Sequence, residues 1–322
     1  MRYREFGKTG IKVSEIGYGA WGIGKAMWQG ATDDESLKAL NKAIDLGLNF
    51  IDTALVYGDG HSEGLVGRVV KQRKERVYVA TKVPPLNGQW PARKGVSLRE
   101  TFPHDYIIKK TEQSLRNLKL DFVDIQQFHV WDDAWSDDAE WSDAISKLKE
   151  EGKILNFGVS INDHQPENAL KLAATGKVDT FQVIYNIFDQ SPEDKLLPFC
   201  QEHKIGVIVR VPFDEGGLTG SVTPETKFPD GDFRNNYFKG DRKKQIADRV
   251  AKLTEVAGSE VRNVAELALR FLLSNPAVST VIPGMRTTRN VEANCSVSDG
   301  RFLTPKLLSE LRNHRWVRDF YH

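Results

Sequence analysis

Four residues of this chain stand where a proton could be handed to a substrate oxygen. Asp52 closes the run Gly47-Leu48-Asn49-Phe50-Ile51-Asp52, and Tyr57 follows one loop later. Lys82 ends Tyr78-Val79-Ala80-Thr81-Lys82, and His129 ends Asp124-Ile125-Gln126-Gln127-Phe128-His129. A phenol is a poor acid at neutral pH, because its ordinary pKa is ~10. A neighbouring ammonium favours the phenolate and lowers that value, while a carboxylate paired with the lysine holds the ammonium in place. Asp52, Lys82 and Tyr57 together read as a proton-donor relay, with His129 able to hydrogen-bond a substrate oxygen. Singly, each has a plainer reading: Asp52 could cap the next helix, and a lone lysine would reach for solvent.

For these groups to meet, they must end neighbouring strands on one rim. From Ile16 onward, short apolar runs alternate with amphipathic stretches, the pattern of parallel βαβ units. Eight strands are predicted: Glu15–Gly19, Asn49–Asp52, Val77–Lys82, Phe122–Phe128, Ile154–Val159, Thr180–Ile184, Gly206–Arg210 and Thr280–Ile282. The capping box Thr32-Asp33-Asp34-Glu35 opens a helix Asp33–Leu46, with Leu37, Leu40 and Ile44 on its buried face. Helix-to-strand turns are tight and carry glycine, as in Asp45–Leu48, Glu151–Lys153 and Thr175–Lys177. Strand-to-helix connections are long, notably Val83–Pro103, Val130–Asp138 and Val211–Lys239. Active sites of (β/α)8 barrels are built by these longer loops, so the asymmetry points to the residues ending each strand. The expected architecture is an α/β TIM barrel in a single domain over residues 1–322. Within it, Thr223–Gly240 reads either as a mobile flap or as a solvated surface loop.

Composition narrows the partners. Lys and Arg (45) nearly cancel Asp and Glu (44), a formal net charge of +1, so no basic field is available for nucleic acid or an anionic membrane. A small molecule is the expected partner, and a homo-oligomer is left open. No apolar run suits a signal peptide or a bilayer span, so a cytoplasmic protein is expected. Cys200 and Cys295 stand apart in predicted helices, as reduced structural thiols.

Two other chemistries compete. Gly17-Tyr18-Gly19-Ala20-Trp21-Gly22 matches the dinucleotide fingerprint G-x-G-x-x-G, but that fingerprint must open a helix at once, and none is predicted before Asp33. Asp52, His61 and His129 suggest hydrolase metal ligands, yet no His-x-His pair supports a metal, and none is expected.

Along nearly its whole length the chain resembles the aldo-keto reductases. The resemblance rests on the Asp-Thr-Ala, Tyr-Gly and Glu-x-x-Val-Gly elements of Gly47–Gly67, on Thr81-Lys82, and on the strand ending in His129. It extends to Gly158-Val159-Ser160, Phe181-Gln182-Val183 and Ile282-Pro283-Gly284. It implies a (β/α)8 barrel with additional C-terminal helices, and reduction of an aldehyde or ketone by NADP(H) lying across the C-terminal mouth. Asp52, Tyr57, Lys82 and His129 match the family's catalytic tetrad, with the tyrosine as general acid. Ser160 and Gln182 match the nicotinamide carboxamide contacts, and Pro212–Leu218 the loop over the pyrophosphate. Gly284, Arg286, Asn290 and Asn294 match the adenosine end, where Arg286 and Arg289 suit a 2′-phosphate through paired hydrogen bonds. Some relatives in this family are channel-associated subunits that sense cofactor state, which is the alternative function.

The pattern departs at three places. Ile161 replaces the usual Asn after Ser160, leaving Asn162 to supply a carboxamide contact, and Ala293 replaces an acidic residue. Arg210 stands where an aromatic ring normally stacks on the nicotinamide. A stacked guanidinium would disfavour the positively charged oxidised ring; the other reading turns Arg210 aside to a phosphate or carboxylate. Trp28, Trp90, Trp131 and Trp135 lie in strand-to-helix loops, as walls of an apolar pocket or as loop packing.

Overall fold

The protein is described by a computed structural model over residues 1–321. A hairpin of β1 (Tyr3–Glu5) and β2 (Lys12–Ser14) precedes eight parallel strands. These are β3 (Tyr18–Gly19), β4 (Phe50–Asp52), β5 (Tyr78–Val83), β6 (Val123–Phe128), β7 (Ile154–Ser160), β8 (Thr180–Ile184), β9 (Gly206–Arg210) and β10 (Thr280–Val281). Each pairs with the next in chain order, as successive right-handed βαβ crossovers require.

The ring closes between its first and last members. Ile16 bridges Val281 and Gly19 bridges Gly284, with Gly17 N–H on the Val281 carbonyl (2.8 Å) and Val281 N–H on that of Glu15 (3.0 Å). A Cβ on Gly19 would sit 2.5 Å from the Ile282 carbonyl, so any side chain there would force the seam apart. The seam uses single bridges, which is why the ladder of β3 is shorter than the expected Glu15–Gly19.

The apolar runs fill two cores. Phe50, Ala80, Ile125, Ile208 and Ile282 point into the barrel, where Phe6, Ile11 and Val13 of the hairpin close the end opposite the strand termini. The larger core lies between the strands and the surrounding helices. Helix Asp33–Asp45 starts at Thr32, whose side chain accepts the Glu35 N–H, and it buries Leu40 and Ile44 with Leu37 half-buried. Gly47, Gly152 and Gly176 take positive φ in the tight turns that return the chain to the sheet.

The Glu-x-x-Val-Gly element is an anchor for helix His61–Gln72. Glu63 accepts from Thr81 Oγ1 (2.6 Å) on β5 and from Asn117 Nδ2 (2.8 Å) on helix His104–Leu118. At Gly67 the two helices cross so closely that a Cβ would meet the Leu118 carbonyl at 2.0 Å. Among the described residues no helix is long and apolar enough to cross a membrane.

Candidate active site

The strand ends bring the four candidate residues together. Asp52 ends β4, Lys82 is next to last in β5, His129 follows β6, and Tyr57 lies in the loop leaving β4. Lys82 Nζ donates to Asp52 Oδ1 (2.5 Å), to the Thr53 carbonyl (2.9 Å) and to Tyr57 Oη (3.4 Å). Lysine and aspartate are 0% and 2% exposed. Asp52 Oδ2 accepts from Gln182 Nε2 (2.8 Å) and Gln127 Nε2 (3.1 Å). Both oxygens of the aspartate are thus committed to the lysine and its supports, and it caps no helix. Lys82 has its charge balanced where a snorkelling lysine would have sought water.

Electrostatics correct one expectation. Burial pushes the Tyr57 phenol above its ordinary value, and the Lys82 ammonium only partly offsets this. The phenol is therefore held in its protonated form at neutral pH, the form a general acid needs, while the ammonium stabilises the anion left after transfer. Burial works to lower the Lys82 pKa, but Asp52 and Tyr57 outweigh it and the ammonium stays charged. Burial, with Lys82 and Arg210, holds His129 well below the usual imidazole range. It is a neutral ring offering one N–H and one lone pair, with Nδ1 buried and unpartnered.

Aromatic rings surround this centre. His129 lies edge-on to Tyr57 (centroids 5.8 Å) and to Trp90 (4.4 Å), while Trp21 stacks on Tyr57 at 6.2 Å and meets Trp28 at 5.7 Å. Trp90, joined to Pro91 by a cis peptide, is 43% exposed. Trp131 and Trp135 are core residues instead, packed on Phe128, Phe102 and Trp141. Loop membership alone did not distinguish these pairs. Trp21 lies inside the fingerprint match Gly17–Gly22, where the glycines draw the attention. From that run the chain makes the 3-10 turn Trp21–Ile23, and the next helix starts at Asp33. His61 bonds Asp33 (2.8 Å) on the outside, and no three His, Cys, Asp or Glu among the described residues are grouped to hold a metal.

The candidate cofactor contacts line the same mouth with altered commitments. Ser160 ends β7 in register with Gln182 of β8, whose amide also serves Asp52. Asn162 ties loops together: its Oδ1 accepts from Ala92 N–H and Trp131 N–H (both 3.3 Å). Arg210 ends β9 and takes the second of its two readings, donating to Asp163 Oδ1 (2.6 Å) and the Ile161 carbonyl (2.9 Å). Pro212 is the second residue of the loop after β9, and buried Leu218 anchors that loop through its N–H on the Phe213 carbonyl (2.8 Å). Gly284 sits at the barrel seam in open space; Asn290 is exposed and Asn294 buried on helix Thr288–Cys295.

Arg286 has the surroundings of an anion-binding group. Half-buried against Trp28, it donates to the Gln29 carbonyl (2.6 Å), forms no ion pair among the described residues, and is repelled by Arg234. The segment expected as a flap is tied to the same region. Phe233 N–H bonds the Met27 carbonyl (2.8 Å), Asp232 accepts from Gln29 N–H, and Phe233 packs on Trp21 at 5.4 Å. A groove of about 750 Å³ opens beside the mouth between Ala92, Lys94, Asp132, His164 and Asp194, without touching the four central residues.

Comparison with known proteins agrees with this geometry. The profile of the aldo/keto reductase family matches residues 15–315. Aldo-keto reductase YhdN of Bacillus subtilis is 32% identical over 91% of this chain and 87% of its own length. Among solved structures, the holo form of aldo-keto reductase AKR11C1 from Bacillus halodurans is 26% identical, covers 100% of both chains and has a TM-score of 0.76. An aldo/keto reductase from Klebsiella pneumoniae, in complex with NADP and acetate, is 27% identical over 97% of this chain and 95% of its own, at a TM-score of 0.70.

Proposed function

Since the chain belongs to the aldo/keto reductase family, we propose that it reduces the carbonyl of an aldehyde or ketone to an alcohol with NADPH, Tyr57 giving the proton. The observation that carries this reading is the buried ammonium bonded at once to Asp52 and Tyr57. A proton leaving Tyr57 creates a phenolate 3.4 Å from a fixed positive charge, so stabilisation grows as transfer proceeds. His129, neutral and beside the phenol, donates its N–H to the same carbonyl oxygen and orients it.

When bound, the reduced dinucleotide supplies a hydride to the carbonyl carbon. The oxygen gains the Tyr57 proton, and solvent restores it to the phenol. Arg286, a cation without an ion-pair partner among the described residues, would take the 2′-phosphate, and the NADP carried by the Klebsiella relative supports that choice. Ser160, Gln182, Pro212, Leu218, Gly284, Asn290 and Asn294 would line the rest of the dinucleotide path. Trp21 and Trp90 flank the reacting groups, so aldehydes with a flat apolar body are the favoured substrates.

A panel of aldehydes and ketones, assayed by NADPH consumption, tests the reading. Tyr57→Phe should lose roughly 10²–10⁴ in rate while still binding NADPH. Equal rates would remove Tyr57 from its role, and NADPH binding without turnover of any carbonyl would point to a cofactor-sensing protein.

A further inference from the structure

A second group of charges occupies the mouth beside the four central residues. Arg210 is 19% exposed, pairs with Asp163, and leaves its Nε buried without a partner. Glu215 stands in the loop after β9, 7% exposed and with a left-handed backbone (φ 53°). A glutamate held in that conformation, with its carboxyl buried, is strained on two counts. Among the described residues its carboxyl accepts one hydrogen bond, from Tyr321 Oη at 2.6 Å.

Tyr321 belongs to a C-terminal tail that is fastened independently. Trp316 N–H bonds the Phe188 carbonyl (2.7 Å), Arg242 bonds that of Phe320 (2.8 Å), and Arg318 pairs with buried Asp214. The Tyr321 ring packs on Phe233 at 5.9 Å, Tyr237 at 5.1 Å and His164 at 6.0 Å. Phe233 in turn touches Trp21, which stacks on Tyr57, so Tyr321 lies two rings from the proton donor.

We propose that Glu215, held by Tyr321 within the field of Arg210, is a specificity residue for the redox state of the cofactor: its charge sets how strongly the mouth prefers NADPH over NADP+. This rests on the NADP(H) reading above. Arg210 and Asp163 cancel, so a neutral Glu215 leaves the cluster uncharged and an ionised one makes it net negative. Net negative charge favours the positive oxidised nicotinamide and leaves the neutral reduced ring almost unaffected.

The carboxyl is poised to change state near neutrality. Burial raises it to about 7, the Tyr321 hydroxyl opposes the rise, and Asp214 and Asp163 add to it while Arg210 subtracts. Among the described residues, the groups facing it are Asp214 on its own loop, Arg210 from β9, Asp163 after β7, Tyr237 from helix Arg234–Tyr237 and Tyr321 from the tail. Arg318 lies behind Asp214, and His164 faces the phenol of Tyr321. Tyr237 and Tyr321 are held protonated far above neutrality by burial, and His129 is held neutral, so none of them changes charge with Glu215.

Dissociation constants for NADPH and NADP+, measured by fluorescence quenching between about pH 6 and 8.5, test the proposal. The ratio Kd(NADP+)/Kd(NADPH) should fall by about three- to tenfold as pH rises through neutrality. Glu215→Gln should make the ratio constant. Tyr321→Phe should move the midpoint upward, since an anion loses its donor, and His164→Gln should leave it in place. A flat ratio in the wild type, or a sloping one in Glu215→Gln, overturns the proposal while the reductase reading stands. Failure to bind either dinucleotide overturns both.

Discussion

Replacing Lys82 by methionine strikes the link between the buried aspartate and the phenol. The side chain keeps a similar shape but loses an ammonium that is 0% exposed and 2.5 Å from Asp52. Breaking a buried pair by removing one partner costs about 3–5 kcal/mol of stability, because the other charge stays behind. The amides of Gln127 and Gln182 remain on Asp52, which places the cost at the lower end of that range. At Tyr57 the loss is chemical. A unit charge 3.4 Å from the phenolic oxygen acts with roughly 5 kcal/mol at an effective dielectric of about 20, or several thousandfold in the ease of losing the proton. Part of that is felt in a transition state where the proton is half transferred, so kcat should fall about 10²–10³-fold.

NADPH consumption with an aromatic aldehyde measures this, beside NADPH affinity and thermal unfolding. Asp52→Asn combined with Lys82→Met removes both charges, and should regain the lost stability while staying inactive. Because Lys82 acts through Tyr57, adding Lys82→Met to Tyr57→Phe should cost little more than Tyr57→Phe alone. The reasoning fails if folded Lys82→Met retains a wild-type rate, or if the two effects multiply.

Two further outcomes follow from the charges at the mouth. His129 binds a proton less readily when folded than an unfolded imidazole does, so its contribution to stability is full above the unfolded pKa of about 6.5 and is lost as pH falls below it. The decline in Tm between pH 7 and 5 should be shallower in His129→Asn; an unchanged slope would mean the ring charges freely in the folded state. Arg286→Ala should weaken NADPH about 10–100-fold and NADH hardly at all, as measured by direct titration, because a charge-assisted pair to the 2′-phosphate is worth roughly 1.5–3 kcal/mol. Equal weakening of both would take Arg286 away from that phosphate.

What could be read from the sequence follows from how locally each feature is encoded. β8 and β9 came out to the residue, and β5 and β6 within one, since an apolar run flanked by turn residues carries its own boundaries. Asp52, Lys82 and His129 were legible because a polar residue closing an apolar strand is conspicuous. Gln127 was equally available, two residues before His129 and so on the same face, but a glutamine within a strand has no chemistry of its own to announce. The hairpin β1–β2 was missed, its three-residue strands being too short to show a period. The direction of the Tyr57 shift was misjudged: spacing reveals that a lysine is near, but not how much water the fold removes. Trp131 and Trp135 needed the third dimension, since a loop can pass through the core and the chain order does not say so.

The seam between β3 and β10 binds residues 16–19 to residues 281–284. During synthesis the first strand therefore emerges long before the partner that completes the cylinder, and must wait while some two hundred and sixty residues follow. Until then both outer strands are open templates for other chains. The nascent protein is thus vulnerable to aggregation until residues 281–284 have been made, and a chain cut short before them would uncurl from a cylinder into a two-edged sheet.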